Sequence, residues 1–216
     1  MKLHFVHRGL IDKHSIENTI DAFKKSLRLG YGIETDLQVT KDQKIICFHD
    51  KTFKRILGSS KKTNETNLNE INSLGKKKNI RIPQFTELLR INRKTPIIAE
   101  LKSNFSKEQI YKLVELCKRI KKLILISFQY KNLEKIYALN KKLTLGQLFY
   151  KKINKSLLEK VKKKKFIQFC IFEKQSLNNP LVKQIQKKKL FYTIKEKKTF
   201  TEFKNREGLI FEYTAL

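Results

Sequence analysis

The chain has 216 residues, with 49 Lys and Arg against 20 Asp and Glu, giving a formal net charge of +29 at pH 7. This length builds one sizeable core and is short for two ordinary domains, so a single domain over residues 1–216 is expected. The three cysteines, Cys47, Cys117 and Cys170, are far apart with no CxxC pair, which argues against a disulfide scaffold or a thiolate metal site and for buried free thiols.

The opening "MKLHFVHRGL" lacks the long apolar run of a signal peptide, and no stretch is apolar for long enough to cross a bilayer, so a soluble cytoplasmic protein is expected. Lysine runs at 76–78, 160–165 and 187–189 are spread along the chain at expected helix ends and loops, and Arg is scarce beside Lys. With no zinc-finger spacing and no paired-aromatic RNA motif, these runs read as solvated faces. No nucleic-acid partner and no obligate protein partner are expected, and contact with anionic membrane surfaces through lysines would be weak.

Short apolar segments with strand character occur at 3–7, 33–39, 96–102, 123–128, 143–149, 166–172, 190–194 and 208–213. Between them apolar residues repeat every three or four positions, as on one buried helix face. The groups are Ile20, Phe23 and Leu27; Phe85, Leu88 and Leu89; Ile110, Leu113, Val114 and Cys117; Leu133, Ile136 and Tyr137; Leu157, Leu158 and Val161; and Leu181, Val182 and Ile185. The segment at 199–205 supplies a weaker last helix. This α/β alternation with eight strands predicts a compact TIM (β/α)8 barrel with a β-hairpin extension after strand 2. An open doubly wound sheet would favour a Gly-rich loop after the first strand, and "HRGLIDKHS" has a single glycine there.

In such a barrel, chemistry gathers where the strands end. The first strand ends in His7 and Arg8, the second carries Glu34 and Asp36, and the third ends in Glu100 and Lys102. Residues two apart on a strand share a face, so these groups converge on one mouth. With the hairpin turn centred in Lys41 to Lys44, Asp36 is expected directly opposite His49, with Cβ atoms about 5 Å apart. Glu34, Asp36 and Glu100 would repel one another unless protonated, paired or bound to a cation, and three carboxylates suit a hard divalent ion, Mg2+ or Ca2+. His7 and His49 suit proton transfer, and Arg8 and Lys102 suit an anionic substrate. Together they describe phosphodiester chemistry better than sugar or acyl chemistry. Each residue alone has an ordinary structural role open to it, and their joint placement is what singles them out. His4 and His14 lack such company and are read as packing or surface residues.

"HRG" (7–9), "ENTIDAF" (17–23), "GIETDLQVTKD" (32–42), "FHD" (48–50), "RIPQFTELL" (81–89), "AELK" (99–102) and "LILISFQ" (123–129) resemble, in order and spacing, the successive motifs of glycerophosphodiester phosphodiesterases. The resemblance implies a (β/α)8 barrel that hydrolyses glycerophosphodiesters to glycerol 3-phosphate and an alcohol through a cyclic phosphate, with a divalent metal. It places metal ligation on Glu34, Asp36 and Glu100, acid/base roles on His7 and His49, and phosphate binding on Arg8 and Lys102. Glu17 and Asn18 would orient the site. Lyase-type phospholipases share this barrel logic, and a non-catalytic barrel binding anions or membrane surfaces is the alternative of another class. The chain departs from the pattern at Ile16 and Gln43, where the family usually has Pro and Gly. It departs further at "YTIK" (192–195), in place of Trp-Thr-Val-Asn, and at "GLIFEYTAL" (208–216), which lacks the closing Thr-Asp.

Overall fold

In the computed structural model, which describes residues 3–92 and 94–212, eight parallel strands close into a barrel. They are β1 (His4–His7), β2 (Gly32–Val39), β4 (Ile97–Leu101), β5 (Leu123–Ser127), β6 (Thr144–Leu148), β7 (Ile167–Glu173), β8 (Lys188–Ile194) and β9 (Gly208–Phe211). The short β3 (Ile45–Cys47) pairs antiparallel with β2 as the arm of a hairpin. Strand order is β1-β9-β8-β7-β6-β5-β4-β2, and the β1–β2 pairing closes the ring. The TIM barrel with a hairpin after its second strand is therefore as expected.

Helices α1 (Ile20–Arg28), α4 (Phe85–Ile91), α5 (Lys107–Cys117), α6 (Tyr130–Leu139), α7 (Lys155–Lys163) and α9 (Lys197–Phe203) fall on the predicted periodic stretches. The 181–185 pattern becomes only a four-residue helix, α8 (Pro180–Lys183), begun by the Asn179 side chain and Pro180. Two helices arise where no periodicity was read, α2 (Lys54–Leu57) and α3 (Leu68–Lys76). Both are short, and their buried apolar residues, such as Leu57 and Ile71, join a small cluster with Ile46, Phe48, Phe53 and Ile82 beneath the hairpin. Tertiary packing, not a helical repeat, holds them.

The strand alternation divides the rest of the core in two. Phe5, Ile98, Ile124, Ile126, Leu148, Phe169, Ile171, Leu190 and Ile210 fill the barrel interior. Their chain neighbours Val6, Ile33, Ile97, Ala99, Leu125 and Leu209 pack outward beneath the helices. Gly32 is required by this filling, because a Cβ there would meet the Phe5 ring at 2.4 Å. All three cysteines are buried free thiols, as expected.

The hairpin register differs from expectation by one residue. Leu37 pairs with Cys47, Gln38 with Ile46 and Val39 with Ile45. The loop is the three residues Lys41–Gln43, closed by Thr40 N–H donating to Lys44 O at 3.0 Å. Gln43 takes the left-handed conformation (φ 60°) usual for glycine in such a loop. Asp36 consequently lies level with Phe48, whose N–H donates to Asp36 O at 2.9 Å, and not with His49. His49 follows the end of the ladder and reaches the mouth by another route.

Candidate active site

Inward-facing positions at the C-terminal ends of the strands carry charge where the middle of the barrel carries hydrocarbon. On β1 the inward sequence is Phe5, His7; on β2, Gly32, Glu34, Asp36; on β4, Ile98, Glu100, followed by Lys102. Parallel register sets His7 beside Glu34 and Asp36 beside Glu100. The carboxylates of Glu34, Asp36 and Glu100 are buried, and one oxygen from each lies within 4.8 Å of the others.

Two cations flank the carboxylates. Arg8 Nε is 3.0 Å from Asp36 Oδ2, and Lys102 Nζ is 2.8 Å from Glu100 Oε1 and 3.4 Å from Asp36 Oδ1. These are ion-pair contacts without hydrogen-bond alignment, so Asp36 Oδ1 and Glu100 Oε1 remain buried without a hydrogen-bond donor. Burial drives the Glu34 carboxyl well above its ordinary range, and Asp36 and Glu100 push it further. Burial, with Asp36 beside it, likewise raises Glu100 to about 7. Asp36 feels burial in the same direction, but Arg8, Lys102 and both imidazoles outweigh it and hold the group at about 2. One carboxyl held low thus sits beside two held high.

Asn18 fixes that carboxylate. Its side-chain N–H donates to Asp36 Oδ2 at 3.0 Å, and its carbonyl accepts from Asp36 N–H and from the Thr35 hydroxyl. Arg8 and Asn18 both have left-handed backbone (φ 58° and 57°) and are joined by Asn18 N–H donating to Arg8 O at 2.8 Å. Non-glycine residues in this conformation collect at sites that need an exact side-chain direction. Gly9, at φ 81°, lets the loop lie against Ala22 of α1, where a Cβ would come within 2.8 Å.

Each histidine has its own carboxylate. His49 Nδ1 is 2.6 Å from Asp50 Oδ1, which orients the ring with Nε2 free. His49 is half-buried, and burial lowers its pKa even though Asp36 opposes the shift. His7 Nε2 is 3.9 Å from Glu34 Oε2, and His7 Nδ1 is 3.8 Å from Glu212 Oε1. Sequence reasoning missed Glu212. It lies two residues after the inward Ile210, so strand alternation was the signal, and Lys195 of the divergent "YTIK" pairs with it at 3.2 Å. Reasoning from sequence also missed Arg55, which joins Asp50 (Nε to Oδ2, 2.7 Å) to Glu17 (2.6 and 2.8 Å), while Glu17 accepts from Arg8 at 3.0 Å. Tyr192 donates its hydroxyl to Phe149 O at 2.7 Å and meets Phe128 edge-on, walling the interior beside the mouth.

All nine expected residues, His7, Arg8, Glu17, Asn18, Glu34, Asp36, His49, Glu100 and Lys102, therefore meet at one end of the barrel. The donor set and the two orphaned oxygens fit a hard divalent cation.

A (β/α)8 barrel with buried carboxylates, imidazoles and cations joined at its C-terminal mouth defines an enzyme scaffold for an anionic substrate. The model of the Glycerophosphoryl diester phosphodiesterase family matches residues 7–210, and the chain belongs to that family. It is similar to the Glycerophosphodiester phosphodiesterase of Caldanaerobacter subterraneus subsp. tengcongensis, at 42% identity over 69 residues, covering 32% of this chain and 28% of the relative. It is also similar to human Lysophospholipase D GDPD1, at 31% identity over 130 residues, covering 54% and 41%. The matches thus span well under half the length of these curated relatives. Among solved structures, the glycerophosphodiester phosphodiesterase of Thermotoga maritima shares the fold at TM-score 0.82 and 22% identity, covering 100% of this chain and 96% of the other. An Oleispira antarctica phosphodiesterase, solved with the product sn-glycerol-3-phosphate, does so at 0.84 and 20%, covering 99% and 94%.

Proposed function

We propose that the protein hydrolyses glycerophosphodiesters to glycerol 3-phosphate and an alcohol, with Glu34, Asp36 and Glu100 holding a divalent cation, Mg2+ or Ca2+. The observation that carries this reading is the cluster of three buried carboxylates between two imidazoles and two cations, at the C-terminal end of the barrel, where active sites of this fold form. When bound, the cation offsets charge on the phosphoryl oxygens and lowers the pKa of a nearby hydroxyl.

The residues of the chain account for the remaining steps. Arg8 and Lys102 bind the phosphate anion, and Glu17 and Asn18 set the directions of Arg8 and Asp36. One histidine takes the proton of the glycerol 2-hydroxyl as its oxygen attacks phosphorus; the other protonates the departing alcohol, leaving a cyclic phosphate. Water then attacks phosphorus with the roles reversed. Its proton goes to the second histidine, the bond to the 2-oxygen breaks, and that oxygen takes the proton of the first. Asp50 and Glu212 stabilise the imidazolium that forms in each half-reaction.

The test is product analysis on glycerophosphocholine, glycerophosphoethanolamine and glycerophosphoglycerol, with and without chelator. Glycerol 3-phosphate release that stops with chelator and in His7→Ala and Glu34→Ala is the expected result. Release indifferent to all three refutes the mechanism, and cyclic phosphate as the end product reassigns the protein as a lyase.

A further inference from the structure

The lysine runs, dispersed in sequence, are gathered by the fold. Helix C-termini and the loops that follow them all lie at the N-terminal ends of the barrel strands. Lys121 and Lys122 precede β5, Lys141 and Lys142 precede β6, Lys163 to Lys165 precede β7, and Lys187 to Lys189 open β8. Since β5, β6, β7 and β8 are consecutive neighbours in the ring, these clusters form one continuous arc about 5 Å per strand apart.

Counter-charge is scarce there. Glu115 and Glu159 are already paired with Lys118 and Lys162, leaving Glu202 and Glu207, while Lys121, Lys122, Lys141 and Lys142 enter no ion pair among the described residues. Two adjoining grooves of about 650 and 330 Å³ share Arg119, Ile120 and Lys121, and basic side chains line both.

A second observation narrows the partner. Four of the six exposed large aliphatic side chains among the described residues lie at this same end: Leu3 before β1, Leu29 at the end of α1, Leu116 and Leu139 in the last turns of α5 and α6, whereas Ile11 follows β1 at the mouth end and Leu181 sits on α8. The exposed tyrosines, Tyr111 and Tyr150, lie elsewhere. A single-stranded nucleic acid would be met by exposed aromatic platforms, whereas basic side chains interleaved with exposed aliphatic ones match anionic headgroups over acyl chains.

We propose that the N-terminal end of the barrel is a docking surface for anionic lipid bilayers. Docked in this way, the protein points its carboxylate-lined mouth away from the bilayer and into the aqueous phase, so its substrates arrive from solution and not from the membrane plane. The proposal stands apart from the catalytic reading, because no residue of the mouth takes part.

The test is co-sedimentation, at physiological salt, with vesicles of phosphatidylcholine alone or with one third phosphatidylglycerol. The variants are a quadruple change at the basic end (Lys121→Glu, Lys122→Glu, Lys141→Glu, Lys142→Glu), a matched one at the mouth end (Lys151→Glu, Lys152→Glu, Lys197→Glu, Lys198→Glu) and the uncharged pair Leu29→Ser, Leu139→Ser. The expected result is binding that requires phosphatidylglycerol, falls at least ten-fold in the basic-end variant and several-fold in the leucine pair, and persists in the mouth-end control. Unchanged circular-dichroism melting, which is independent of activity, verifies folding. Equal loss in both lysine variants, no preference for phosphatidylglycerol, or tighter binding to RNA or duplex DNA than to vesicles overturns the proposal.

Discussion

Asn18 grips Asp36 at two points. The amide N–H donates to Asp36 Oδ2 at 3.0 Å, and the amide oxygen accepts from the Asp36 backbone N–H at 3.3 Å. The carboxylate at the centre of the mouth is thus aimed by a loop residue eighteen positions earlier, in a left-handed conformation that Asn tolerates better than most residues.

Replacing Asn18 with Ala removes both contacts and leaves a Cβ-bearing residue without the polar side chain that favours this backbone. Affinity for Mg2+ or Ca2+, measured by calorimetric titration, is expected to fall about 10- to 100-fold. Stability falls by about 1–3 kcal/mol, through the unsatisfied buried polar group. Wild-type affinity in this variant would show that Asn18 does not position the ligand.

Cation binding should release protons. Glu100 sits at about 7 and is largely protonated at pH 6 without the cation, and burial beside Asp36 and Glu100 raises Glu34 in the same direction. Calorimetry in buffers of different ionisation enthalpy measures the release, which shrinks as pH rises through about 7. A raised folded pKa gives stability that is fully present below the unfolded value and is lost as pH climbs through the folded one. Chelator-treated protein should therefore lose thermal stability between about pH 4.5 and about 7 relative to Glu100→Gln, and added cation should restore it.

Glu212 is expected to act through His7. Glu212→Gln keeps the shape but removes the charge beside the ring, lowering kcat about ten-fold or more with little change in KM. In a His7→Ala background the same substitution should cost nothing further, as expected of residues acting as a unit. Full additivity in this double-mutant cycle would separate the two residues.

Arg55 bridges Asp50, the partner of His49, and Glu17, the partner of Arg8. Arg55→Ala removes one partner from each carboxylate at once, leaving Glu17 to Arg8 and Asp50 to His49, so kcat/KM should drop about ten-fold. Because the Arg55 side chain is 47% exposed, the cost in stability should stay at or below about 1 kcal/mol by thermal unfolding.

Much of this was legible along the chain. Short apolar runs located the eight barrel strands, and alternation put Glu34 with Asp36, and Glu100 with Lys102, on a shared face of its strand, because a strand sends alternate side chains to opposite sides whatever surrounds it. The motifs supplied the family. The hairpin register was one residue off, since a three-residue loop with left-handed Gln43 gives no sequence signal once the usual Gly is replaced. Helices α2 and α3 were invisible because their burial depends on a cluster assembled from residues as distant as Ile46 and Ile82.

Sequence by itself determined the strand count, the inward charges and the residue types suited to phosphodiester chemistry, all of which are local properties of spacing. Only the tertiary structure decided which charges meet. Ring closure brings Glu212, just past the last strand, to His7 of the first, Arg55 reaches back to Glu17, and αβ loops spread over much of the chain share one basic end. The physical reason is that closing a sheet makes neighbours of its first and last strands and collects every loop at one of two ends, relations that no local pattern contains.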